Sequence, residues 1–194
     1  MINTAQDPSP QGWFRSLWPG EAGLLAEHLV RLAPEDRHRR FLHAVNDDWM
    51  RDYARRAGRR RVLGWFVDGT LRGAAEVHFR GDVAEAALSV EAPWRGNGVG
   101  LELMRRALRA AQNYGVRTLT VYTTADNTPM IRIAKALDAR FSREDGTVTG
   151  EIDAGPPTPA SLIFDLADEE RGLIANWWSG VGAGMEALRG PRAG

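Results

Sequence analysis

The stretch Val90-Glu91-Ala92-Pro93-Trp94-Arg95-Gly96-Asn97-Gly98-Val99-Gly100-Leu101 concentrates residue types able to hold an anion. An apolar strand pattern stops there, Pro93 blocks its continuation, and a glycine-rich turn opens directly into an amphipathic helix. The first N–H groups of such a helix lack internal partners and lie at the positive end of its dipole. Glycine at 96, 98 and 100 removes side chains that would keep a pyrophosphate off the backbone. Two familiar phosphate loops do not fit. A Walker loop ends in Gly-Lys-Ser/Thr, and the only lysine is Lys135. A dinucleotide fingerprint begun at Gly96 needs glycine where Leu101 stands, and one begun at Gly98 needs it where Leu103 stands.

Other chemistry is bounded by what the chain contains. Cysteine is absent, which excludes disulfides, thiolate metal sites and a cysteine nucleophile. His28, His38, His43 and His78 form no metal-ligand pattern and no Ser–His motif, so structural roles and no metal are expected. Arg51, Arg55, Arg56, Arg59, Arg60 and Arg61 form a basic run, read as a solvated helix end and strand entry, with an acidic or phosphate partner as the alternative. The formal net charge is zero, from 25 basic and 25 acidic residues. No global field draws nucleic acid or an anionic membrane, and neither is expected as a partner. With no signal-like start and no membrane-length apolar run, the cytoplasm is the expected compartment.

The elements that position the turn follow from periodicity. Residues 1–12 read as a flexible leader, 13–167 as the domain and 168–194 as a C-terminal helical extension. Trp13–Leu17 suits a first strand, and Leu25, His28, Leu29 and Leu32 share one helix face. Pro34-Glu35-Asp36 opens a second helix that buries Phe41, Leu42 and Val45; Asn46 caps a third, which Gly58 ends. Val62–Val67, Leu71–Phe79 and Val83–Val90 make an antiparallel meander with a hairpin at Asp68-Gly69. A helix over 98–114 buries Leu101, Met104, Leu108 and Ala111, and a strand covers Arg117–Thr123. A short helix over Pro129–Leu137 buries Met130, Ile133 and Leu137, and two last strands cover Thr147–Ile152 and Ser161–Leu166. The tail stripe from Leu173 to Leu188 is interrupted by Gly180, Gly182 and Gly184, so it is helical only when packed. Its Trp177–Trp178 pair suits core or subunit contact, a homodimer included. The order indicates an α+β domain around a mixed, mostly antiparallel sheet of six to seven strands flanked by helices.

At the turn, the sequence resembles the GNAT superfamily of N-acetyltransferases. Arg95-Gly96-Asn97-Gly98-Val99-Gly100 fits that family's Arg/Gln-x-x-Gly-x-Gly/Ala motif, whose amides hold the pyrophosphate of CoA. Ala84-Glu85 resembles its Ala-Glu on the preceding strand. Asn127-Thr128-Pro129-Met130, followed by Ile133-Ala134-Lys135-Ala136-Leu137, resembles its later helix. The overlap runs from about 62 to 166, and the Pro34-Glu35-Asp36-Arg37 helix looks closest to the acetyltransferase domain of Pat-type bacterial protein lysine acetyltransferases. Two positions depart: Ala134 replaces a proton-donating tyrosine and Asp138 a glycine.

The resemblance implies acetyl-CoA as acyl donor and an amine acceptor, either a protein lysine or a small molecule. Leu88, Ser89 and Val90 would pair with the pantetheine arm, the Val90 N–H would hold the oxyanion, and residues Arg95 to Leu101 would hold the pyrophosphate. Asn127 either satisfies a pantetheine amide or simply caps its helix. An amine with a pKa of about 10.4 is mostly protonated at neutral pH, so a base is useful. Glu85 is the candidate, with an exposed strand glutamate as the alternative and Glu76 next in line. The competing function is a non-catalytic acyl-CoA-binding regulatory module.

Overall fold

The computed structural model describes residues 12–56 and 60–167. Strands β1 (Trp13–Ser16), β2 (Arg60–Val67), β3 (Thr70–Arg80), β4 (Val83–Val90), β5 (Thr118–Thr124), β6 (Arg140–Glu144) and β7 (Thr147–Asp153) form one sheet in the order β1-β2-β3-β4-β5-β7-β6. Every neighbouring pair is antiparallel except β4–β5, which run parallel. A parallel pair needs a crossover, and helix α4 (Val99–Asn113) supplies it.

Each face of the sheet has its own core. Helix α4 lays Val99, Leu103, Met104, Ala107, Ala110 and Ala111 on Ala75, Val77, Ala84 and Ala86 of β3 and β4. Its small alanines let the helix sit close to the strands. Leu101 and Leu108, expected in that face, are half-buried, because the fully buried stripe is turned toward Leu103 and Ala107. Helix α5 (Thr128–Lys135) joins the same core through Met130 and Ala134, with Ile133 and Leu137 packed at its border. On the opposite face, α1 (Ala22–Val30) and α3 (Asp47–Arg55) bury Leu25, Leu29, Met50 and Ala54 against Phe66, Leu71 and Ala74.

Helix α2 (Pro34–Phe41) crosses near β4 and β5 with no fully buried residue; Phe41 and Val45 are only half-buried. Leu42, expected inside, is an exposed left-handed cap with φ of 61°. The expected cap of α3 is present, Asn46 accepting from the Trp49 N–H at 2.8 Å.

Two elements differ from expectation. Ser161–Leu166, expected as a strand, lies in a helix over residues 159–167. Pro159 suits a first helical turn, and Thr158 and Ser161 cap it reciprocally, each backbone N–H donating to the other's hydroxyl at 3.0 Å. Strand β6 was not expected at all, since its five residues are all exposed. It forms by hairpin pairing with β7 through Asp145-Gly146, whose φ values of 46° and 79° suit a tight turn. Gly58 and the Trp177–Trp178 stripe lie outside the described residues.

Candidate functional site

The sheet opens where β4 meets the glycine turn. Strand β4 pairs with β5 only from Val83↔Thr118 to Ala86↔Val121. It stays paired with β3 as far as Gly73↔Val90, while β5 stays paired with β7 as far as Thr124↔Thr147. Residues 87–90 therefore present one backbone edge to a gap instead of a neighbouring strand. Leu88, Ser89 and Val90, three of the expected site residues, line that edge. On the β5 side, Thr123 is buried and its Oγ1 has no hydrogen-bond partner. Such an orphaned hydroxyl calls for a ligand group or water.

Beyond Val90 the chain passes through a short 3-10 turn, Ala92–Trp94, and enters the glycine loop. The three glycines have different reasons. Gly96 and Gly98 hold φ of 82° and 77° in open space, so backbone conformation demands glycine there. Gly100 is a close approach: a Cβ would lie 3.0 Å from Ile133 Cδ1 and 3.5 Å from Leu88 Cδ2. The first internal bond of α4 runs from Glu102 N to Gly98 O, which leaves the N–H groups of 98–101 without helical partners. Asn97 is exposed, Leu101 half-buried, and Val99 buried in the core, so Val99 can offer only its backbone. Arg95 turns back on the protein. Its Nε donates to Val90 O at 2.8 Å, and Nη2 pairs with Asp36 of α2 at 2.7 Å. Asn127 caps α5, its Oδ1 accepting from Met130 N at 3.3 Å. The departure at 134 stands in the core: Ala134 is 1% exposed and carries no proton to donate.

Strand alternation brings the carboxylates to the α1–α3 face. Glu85, Ala87 and Ser89 point there together, opposite His78, Glu76 and Ala74 of β3. Glu85 is half-buried. Glu76 is enclosed, at 1% exposure, with Arg40 Nη2 at 2.5 Å, Arg60 Nη1 at 3.2 Å and the Tyr53 hydroxyl donating at 3.1 Å. Those partners occupy both oxygens, so Glu76 is the counter-charge to two buried arginines. Burial and the neighbouring Glu76 charge push the Tyr53 phenol up, so it stays protonated. Burial holds His78 below its ordinary value despite the Glu76 charge.

A third cluster escaped the sequence reading. His28, on α1, is fully buried and places Nε2 2.9 Å from Ser89 Oγ and Nδ1 3.2 Å from Glu91 Oε1. Glu91 also accepts from Arg31 Nε at 2.8 Å and Arg72 Nη1 at 2.9 Å. Burial alone would raise the Glu91 carboxyl, but these hydrogen bonds outweigh it and hold the group at about 2. Burial also lowers His28, against the pull of Glu91, which keeps the imidazole neutral. The sequence holds no Ser–His motif, yet the fold brings this pair together. The partners of His28 lie 61 and 63 residues away in sequence, and only the period-2 placement of Ser89 and Glu91 hinted at a shared direction.

The arginine run is largely neutralised from within: Arg51 pairs with Asp48, Arg55 with Asp52, Arg60 with Glu76 and Arg61 with Asp165. Among the described residues no cluster of His, Asp and Glu could hold a metal ion, and no helix is long and apolar enough to cross a membrane. A cavity of about 560 Å³, lined by Pro34, Arg37, His38 and Asn46 among others, includes none of the expected site residues.

Comparison with known proteins bears on this geometry. Acetyltransferase Pat of Mycolicibacterium smegmatis is 33% identical over 97 residues, covering 47% of this chain and 29% of that protein. The chain thus spans well under half of that relative's length. Among solved structures, the GNAT domain of S. lividans PAT superposes with a TM-score of 0.63 at 20% identity, covering 72% of this chain and 89% of that one. YncA of Salmonella typhimurium, a structure with its cofactor acetyl-CoA, superposes with a TM-score of 0.57 at 16% identity, covering 75% and 96%. Both share the fold. Residues 24–138, more than half the chain and including the whole β4–turn–α4 unit, match the acetyltransferase (GNAT) family, and to that family this chain belongs.

Proposed function

We propose that the chain moves the acetyl group of acetyl-CoA to a primary amine, of a protein lysine or a small molecule, by direct attack in a ternary complex. The observation that carries this reading is the released β4 edge over 87–90, which runs straight into a positive-φ glycine turn and a helix N-terminus. A pantetheine arm can add to such an edge through main-chain hydrogen bonds, as a strand would. A pyrophosphate suits the unpartnered N–H groups of 98–101. Leu88, Ser89 and Val90 then hold the arm, Arg95 to Leu101 shape the phosphate seat, and the Val90 N–H faces the thioester carbonyl. Thr123 Oγ1, and Asn127 through whatever its cap leaves free, lie on the other side of the gap.

Glu85 is the general base in this reading. It shares the acceptor-side face with Ser89 and, unlike Glu76, is not enclosed by arginines. It takes one proton from the ammonium form of the acceptor, leaving a neutral amine to attack. The test is release of free CoA from acetyl-CoA over a panel of polyamines, amino acids, aminoglycosides and lysine-bearing proteins, with the Glu85→Gln variant beside wild type. Loss of the base is expected to lower kcat by about 100-fold with acetyl-CoA affinity unchanged. A protein that binds acetyl-CoA and releases none with any amine is the regulatory module instead. A variant with wild-type kcat at neutral pH removes Glu85 from the mechanism.

A further inference from the structure

We propose that Ser89, His28 and Glu91 form a proton shuttle that carries the second proton of the attacking amine to the departing CoA thiolate. The proposal rests on the reading above, with the thioester at the open end of β4.

The geometry is a continuous chain. Ser89 lies in the part of β4 that has lost its β5 neighbour, at the gap. Its Oγ is 2.9 Å from His28 Nε2, and His28 Nδ1 is 3.2 Å from Glu91 Oε1. Glu91 is fixed in turn by Arg31 and Arg72, and Arg31 is itself anchored on Leu71 O at 2.7 Å. An ionised carboxylate only accepts, so Nδ1 must carry the hydrogen that points at Glu91. Nε2 is then the lone pair, and the Ser89 hydroxyl must donate to it. The direction of every bond in the chain follows from that one constraint. The arrangement is the orientation logic of a nucleophile–imidazole–carboxylate triad, built here from α1 and the end of β4.

The reaction needs such a path because two protons must leave the nitrogen. Glu85 takes the first before attack and passes it to solvent. When the neutral amine bonds to the acetyl carbon, its nitrogen still holds one proton too many. Ser89 Oγ accepts that proton as its own hydrogen moves to His28 Nε2, and the imidazolium so formed faces the ionised Glu91. As the C–S bond breaks, the thiolate takes a proton from Ser89 and His28 returns one to Ser89. One C–N bond forms, one C–S bond breaks, one proton passes from nitrogen to sulfur, and the chain is restored. Ala134 has no proton to supply in its place.

A buried histidine that merely ties α1 to β4 would show the same distances, so the test needs readouts that tying does not move. With both substrates saturating, Ser89→Ala is expected to lose at least about 10-fold in kcat, toward the usual range for a lost proton-transfer group, with acetyl-CoA Kd unchanged. Ser89→Thr, which keeps a hydroxyl, should recover most of the rate. His28→Gln should lose as much as Ser89→Ala, and the double variant no more than either, because a unit fails as a unit. Nitrogen-15 NMR of the unliganded wild type should show His28 as the Nδ1–H tautomer. An Nε2–H tautomer, a Ser89→Ala variant with wild-type kcat, or an acetyl adduct on Ser89 by mass spectrometry would each overturn the shuttle. A wild type that never releases CoA removes the proposed reaction and the shuttle with it. A wild type that turns over beside an equally fast Ser89→Ala variant removes the shuttle alone.

Discussion

Glu76 and Glu85 stand on adjacent strands, on one face of one sheet, and Glu85 faces the residue two places beyond Glu76. Their surroundings are opposite. Glu76 is dry and held by Arg40, Arg60 and Tyr53, all brought in from other elements. Glu85 is half-buried beside Ala87 and Ser89, on the strand that leads to the gap. The residue type is the same, and the neighbours decide which carboxylate is locked in ion pairs and which, in the proposed mechanism, is left for chemistry. Glu91 stands between these extremes: it is buried and fully paired, yet one of its partners reaches Ser89 at the gap.

Replacing each carboxylate sharpens this contrast on a single scale, that of stability. Glu76→Ala strands two arginines whose side chains are only 8% and 6% exposed. Removing one partner of a buried charge pair costs about 3–5 kcal/mol, so urea unfolding should show a loss of that size or a protein that no longer folds. A change below about 1 kcal/mol would make the Glu76 cage a surface feature in energetic terms and reopen its candidacy as a base.

Glu91 should come next, and its contribution depends on pH. The folded carboxyl is held at about 2 against an ordinary 4.5. A depressed carboxylate stabilises above its unfolded pKa and loses that stabilisation as pH falls through the folded one. About 3 kcal/mol is therefore present at neutral pH and disappears between pH 4.5 and 2. His28 works in the same direction, since its lowered pKa makes the unfolded chain bind the proton first as pH falls below 6.5. Denaturant midpoints followed from pH 7 to 3 should fall more steeply for wild type than for Glu91→Gln. Parallel profiles would mean that the cluster is not coupled to folding as its hydrogen bonds indicate.

Glu85→Gln should be the quietest of the three, within about 0.5 kcal/mol of wild type in stability, while carrying the kinetic loss predicted above. A large loss of stability would place Glu85 with Glu76 and dissolve the comparison.

What was legible in the sequence was local. The glycine turn could be read because Pro93 and the glycines at 96, 98 and 100 impose their conformations over a few residues. The shared face of Glu85, Ala87 and Ser89 followed from strand alternation. The Asp68-Gly69 hairpin was read, and the same chemistry at Asp145-Gly146 went unread because β6 has no buried residue to give it a period. The helix over 159–167 was hidden behind an apolar run whose Leu162, Ile163, Phe164 and Leu166 all remain exposed. The Glu76 cage and the Ser89–His28–Glu91 chain join residues 16 to 63 positions apart, and such pairings leave no local pattern.

The proposed function requires the open end of β4 and its glycine turn to hold the CoA portion of acetyl-CoA. Calorimetric titration of CoA into wild type and Gly98→Val tests it most directly. Valine at φ of 77° must push the turn out of its conformation, although the space around it is open. Wild type is expected to bind CoA and the variant not to, with the variant's far-UV circular dichroism and cooperative melting retained. A folded Gly98→Val protein that binds CoA as tightly as wild type would contradict it.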